Sequence, residues 1–140
     1  MITFKEVKQE LELNEQMEGN PQKAKGAELV ARCFAARNAM HFFHLLTPSY
    51  SAHIAAQTFY EEIVGLTDAV AEGLIGRLGR FEAFPNVKES AIDGLQIVGN
   101  LTRWIDSNRE IISEFSEIQN DIDNILTLCN STAYRLRELK

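Results

Sequence analysis

Residues 51–79 read SAHIAAQTFYEEIVGLTDAVAEGLIGRLG. Phe59, Ile63, Leu66, Val70, Leu74 and Leu78 recur at spacings of three and four, the period of one buried helical stripe. Gly79 stands where the stripe ends and suits a left-handed C-terminal cap. Upstream lies Thr47-Pro48, and a residue before proline disfavours the helical region, so an earlier helix stops there. That helix runs from about Gln22 to Leu46, with Leu29, Val30, Cys33, Phe34, Met40 and His41 on its stripe. The short link Pro48-Ser49-Tyr50 makes the two long helices antiparallel neighbours.

The same logic extends outward. Thr3-x-x-Glu6 is a capping-box pattern, and Phe4, Val7 and Leu11 then share a face. The expectation is a short amphipathic helix over residues 1–20, lying on the bundle and ending at Gly19-Asn20-Pro21. Arg80 to Pro85 reads as a connector. Beyond it, Ile92, Leu95, Val98, Leu101 and Ile105 form one stripe, and Phe115, Ile118, Ile122, Ile125 and Cys129 another. A break falls between them, with Ser107-x-x-Glu110 and Ser116-x-x-Gln119 as candidate caps and the second favoured. The fold expected is all-α: one domain of up-down helices, a four-helix bundle over residues 22–140 plus the short N-terminal helix.

Composition bounds the function. A chain of 140 residues can bury a core without staples. No apolar run approaches the roughly 20 residues that span a bilayer, and the N-terminus lacks a signal-peptide pattern. Cys33 and Cys129 lie far apart, sit at apolar helical positions and read as free buried thiols, which suits a reducing, cytoplasmic setting. The net charge of −6 opposes sequence-independent contact with nucleic acid, and the N-terminal segment mixes lysines with glutamates. DNA binding is therefore not expected.

The three histidines are clustered: His41 and His44 near the end of one helix, His53 near the start of the next. Farther along stand Asp68 and Glu72, one turn apart and on one face. Imidazole plus carboxylate suits iron, zinc or manganese. Yet His53 and Asp68 lie fifteen residues apart, about 22 Å along a helix at 1.5 Å per residue. One copy of the chain cannot bring both to one ion, whereas two antiparallel copies meeting across a two-fold axis can.

The spacing His41-x11-His53-x3-Gln57-x10-Asp68-x3-Glu72 resembles the ferroxidase signature of the Dps mini-ferritins. That family has histidine, histidine, aspartate, aspartate and glutamate at these intervals, and this chain matches four of the five. Phe59 and Ala71-Glu72 also fit the local family pattern. The likeness covers Leu29 to Gly79; from Phe84-Pro85 onward it is one of helix count and length alone. It implies a ferritin-like fold, ferrous iron as the ion bound and oxidised, and assembly of the chain with itself into a twelve-subunit shell. It also implies that the histidines come from one subunit and the acidic pair from its two-fold partner. Gln57 departs from the pattern, since a neutral amide stands where the family has a carboxylate. Two carboxylates balance one divalent ion, not two, so one well-held ion, iron or another divalent metal, is expected. Glu61 and His44, each one turn beyond a signature residue, are candidate additional ligands.

Other readings compete. Tyr60, Trp104 and Tyr134 read as amphipathic residues at the core edge rather than electron-transfer groups. Gly73, Gly76 and Gly79 follow no strand and precede no Lys-Ser/Thr, so they make no phosphate loop. The rival to iron chemistry is a ferritin-like structural or protein-interaction module with decayed metal chemistry, of a kind that bacterial and phage genomes both carry.

Overall fold

A computed structural model describes residues 1–9 and 20–140. Its long helices are α1 (Pro21–Leu46), α2 (Tyr50–Leu78), α3 (Gly94–Ile112) and α4 (Ser116–Glu138), and no strand occurs among the described residues. Each boundary has a local cause. The Asn20 side chain accepts a hydrogen bond from the Lys23 N–H, and Pro21 opens α1, where its missing N–H costs nothing. Thr47 is extended ahead of Pro48, and the Ser49 hydroxyl caps α2 by accepting from the Ala52 N–H. Gly79 closes α2 with φ of 89°, a left-handed geometry that favours glycine. Asp93 caps α3 by accepting from the Gln96 N–H.

The core is one cluster to which all four helices contribute. Leu29, Cys33, Ala36 and Met40 come from α1, and Phe59, Ile63, Val70 and Leu74 from α2. Ile97, Leu101 and Ile105 come from α3, and Ile118, Ile122, Ile125 and Cys129 from α4. The helix pairs that pack are α1 with α2, α2 with α4, α4 with α3, and α3 with α1. Buried hydroxyls are satisfied within their own helices: Thr67 donates to the Ile63 carbonyl and Thr132 to that of Leu128. Both thiols are free and buried, as expected, and burial pushes each up to about 12.

The path between α2 and α3 differs from the expected one. The connector spans residues 79–93, well beyond Arg80 to Pro85, and it traverses the whole length of the bundle. At its start, Phe81 lies beside Gly26 at the foot of α1. At its end, Gly94 approaches Phe43 at the head of α1 and Leu136 at the end of α4. A helix as long as α2 covers about 40 Å, a distance a chain of this length crosses only when extended. The Glu89 carboxylate pins the crossover by accepting from the Ala91 N–H and the Asn100 amide. As a result α2 and α3 run parallel, and the expected alternation of up and down is replaced by up, down, down, up. Ile92, placed by periodicity on the α3 stripe, lies in this crossover and is 78% exposed.

Three smaller expectations also change. The Thr3–Glu6 capping box forms reciprocally, at 2.8 and 3.1 Å, and residues 4–9 are helical. Phe4 and Val7 are nevertheless exposed, so this turn does not lie on the bundle, while Leu11 falls outside the described residues. Phe34 is exposed because the α1 core line follows Leu29, Cys33, Ala36 and Met40, and position 34 points one residue past it. The last break falls at residues 113–115, yet Ser116 does not cap α4. Gln119 instead turns back and donates to the carbonyls of Arg109 and Ser113, satisfying the end of α3.

Candidate metal site at the hinge between α1 and α2

The end of α1 and the start of α2 bring the three histidines together. The Nδ1–H of His44 donates to the His53 carbonyl at 2.7 Å, and the Nδ1–H of His53 donates to the His44 carbonyl at 2.8 Å. The two rings stack, with centroids 3.6 Å apart. A carbonyl only accepts, so both Nδ1 atoms carry hydrogen, and the nitrogen that a ring can offer to an ion is Nε2. No side-chain nitrogen or oxygen among the described residues is sealed from solvent without a partner. Donation of Nδ1–H to a backbone carbonyl is how a metal-binding histidine is usually oriented.

His41 completes the cluster differently. Its ring lies 4.0 Å from that of Tyr60, which also meets His44 edge-on at 5.2 Å. The Arg37 guanidinium sits 5.3 Å from the Tyr60 ring. Tyr60 is half-buried, as a core-edge residue should be, but its neighbours are the histidines. Its spacing from His53 contains that signal, since seven residues are two helical turns.

Gln57 lies one turn beyond His53, and its amide donates to the Glu61 carboxylate at 3.0 Å. This commits the NH₂ group and leaves the amide oxygen as the outward donor atom. Asp68 and Glu72 are exposed on α2 and make no ion pair or side-chain hydrogen bond among the described residues. Helix α2 is continuous from Tyr50 to Leu78, so the acidic pair stays about 22 Å along the axis from His53. Among the described residues, no group of three or more His, Cys, Asp or Glu side chains is arranged within one copy so that it could hold a metal ion. One chain therefore gathers His41, His44 and His53 and, separately, Gln57 with Glu61, but keeps Asp68 and Glu72 apart from both.

Together these features define, among the described residues, an all-helical chain with four long helices, one full-length crossover and a histidine cluster at the hinge between α1 and α2. A family of unknown function, DUF5856, matches residues 44–136, and the chain belongs to that family. The match takes in His44, His53, Gln57, Asp68 and Glu72 and begins just after His41. No curated protein and no solved structure matches the chain. Among the described residues, no helix is long and apolar enough to cross a membrane.

Proposed function

We infer that the chain is a ferritin-like protein, akin to the Dps mini-ferritins, that binds ferrous iron between two copies of itself. His41 and His53 of one copy hold the ion through Nε2, and Asp68 and Glu72 of the other supply two negative charges. Gln57 contributes a neutral oxygen at the position where a carboxylate would strengthen the site. The observation that carries this reading is the paired bond between His44 and His53, which orients His53 and leaves Nε2 as the nitrogen it can offer to an ion. The parallel run of α2 and α3 and the single long crossover support the ferritin-like assignment, because that topology distinguishes such bundles from simple up-down ones.

The donor set fits one hard or borderline divalent ion. Two carboxylates offset its charge and favour the ferric over the ferrous state, which is the direction of oxidation. His44 supports His53 and is not itself a ligand. The test is aerobic oxidation of ferrous iron followed by absorbance, comparing the native chain with His41→Ala, Asp68→Ala and Gln57→Asp. Oxidation above the buffer rate, lost in the first two variants and faster in the third, is expected. A native chain that matches buffer ends the ferroxidase reading. It would leave the rival, an interaction module without metal chemistry, which the commitment of the Gln57 amide to Glu61 favours.

A further inference from the structure

The first half of α3 and the last half of α4 share a charge pattern unlike the rest of the chain. Residues 94–105 and 124–137 contain three arginines, Arg103, Arg135 and Arg137, and no Asp, Glu or Lys, although the net charge of the chain is −6. Arg32, Arg77 and Arg109 are held in ion pairs, but none of these three has one among the described residues. Arg135 lies toward α2, beside Tyr50 and Ile54. Arg103 and Arg137 line a different groove, of about 400 Å³, between α3 and α4. Its floor is apolar, with Val98 and Cys129 buried and Leu95 and Ala133 half-buried. The acidic residues that border these stretches in sequence, Asp93, Asp106, Asp123 and Glu138, do not line it.

We propose that this groove binds an amphipathic anion, with a carboxylate or phosphate head held by Arg103 and Arg137 and an aliphatic body lying on the floor. Side chains on a helix lean toward its N-terminus, so on these antiparallel helices the two arginines lean toward each other. For Arg103 the lean is visible: a Cβ at Gly99 would lie 3.3 Å from a guanidinium nitrogen, so the absence of a side chain there lets the cation fold back over the groove. Its bond to the Asn100 side-chain oxygen holds that pose and leaves the charge uncancelled. Gly94 in the first turn of α3 packs against Leu136 in the last turn of α4, so the opposed end dipoles of the two helices offset and the guanidiniums dominate. Basic residues in a last turn commonly complement the helix dipole, which accounts for Arg135 and Arg137 in α4 but not for Arg103 in the middle of α3. Guanidinium forks match carboxylate and phosphate oxygens, and the volume is that of a small-molecule site. An inorganic anion would leave the floor unused, and a neutral lipid would leave the arginines unused.

The test is isothermal titration calorimetry of the full-length chain with decanoate and decyl phosphate, each below its micelle-forming concentration, against decanol and inorganic phosphate. Saturable binding of both amphiphiles at one site per chain, with decanol and inorganic phosphate weaker by about tenfold or more, is the expected result. Arg103→Gln and Arg137→Gln should each weaken decanoate binding about tenfold. Ala133→Phe, which fills the floor, should weaken it too, whereas Arg80→Gln, the same charge change on the exposed connector, should not. Far-UV circular dichroism shows whether the helices persist; Arg103 and Arg137 are exposed, so their variants carry the test if Ala133→Phe loses helix. Decanol that binds as tightly as decanoate, arginine variants with native affinity, or an absence of saturable binding overturns the proposal. Binding to phosphatidylglycerol vesicles without binding of dissolved decanoate also overturns it and assigns the cations to a membrane surface. None of the proposed metal ligands lines the groove, so every outcome leaves iron binding to its own experiment.

Discussion

His44 and His53 each donate Nδ1–H to the other's backbone carbonyl, so two helix ends are tied by a pair of bonds crossing one stack of rings. The pair spans the Thr47-Pro48-Ser49 link, where each bond occupies a carbonyl at a helix boundary. His44→Ala removes one donor to the His53 carbonyl, takes away a buried ring and leaves the half-buried His53 ring without its stacking partner. A loss of about 1–3 kcal/mol is expected on denaturant unfolding. A double-mutant cycle with His53→Ala should show coupling between the two sites. Independent, additive effects would mean that the stack contributes nothing as a unit.

The intersubunit reading makes a demand that no single variant meets. His53→Ala keeps the acidic pair, and Asp68→Ala keeps the histidines, so each alone lacks half of every shared site. When the two variants are unfolded together and refolded as a mixture, some shared sites regain both halves. Ferrous or cobaltous ion binding, followed by equilibrium dialysis without oxygen, should be weak in each variant alone and partly restored in the mixture. Failure of the mixture, with the native chain binding normally, would place all ligands within one copy.

Much of this organisation is legible in the sequence, and for identifiable reasons. Proline at 21 and 48 and glycine at 79 are strong local signals, and they set the ends of α1 and α2. Spacing alone also separates His53 from Asp68, because a continuous helix fixes that distance. The crossover was not legible in the same way. Ile92 continues the α3 period, and only the reach needed from the foot of α2 to the head of α3 forces it into extended chain. The pairing of His44 with His53 is equally hidden, since it depends on how two helix ends approach and not on any repeat. Gln119 shows the same limit: the capping-box pattern names the residue, but its amide serves the helix before it.

Glycines on two faces of the bundle should respond oppositely to alanine. A Cβ at Gly26 would lie 2.6 Å from the Leu74 side chain, with Phe81 at 3.4 Å. Leu74 is fully buried and has little room to retreat, so Gly26→Ala should destabilise the chain by about 1–3 kcal/mol. A Cβ at Gly76 would meet nothing within 4 Å, and Gly76→Ala should stabilise by up to about 1 kcal/mol through helix propensity. Thermal melts of the two variants decide this. A shift of the same sign in both would contradict the packing described at the foot of α1.

Cys33 and Cys129 offer a test of the core itself. Burial raises both thiols to about 12, against about 8.5 for a thiol in an unfolded chain. Between these values the unfolded chain has released protons that the folded chain still holds. Stability contributed by the neutral thiols is therefore complete below about pH 8.5 and lost progressively as pH rises toward 12. Replacing both with alanine removes this term but also empties core volume, so the slope with pH is the informative quantity. Denaturant midpoints from pH 8 to 10.5 should fall more steeply for the native chain than for the double alanine variant. At pH 8 the native thiols should react with a thiol reagent only as fast as the chain opens, and fully in denaturant. Rapid labelling without denaturant would mean that the burial of the two thiols does not hold in solution.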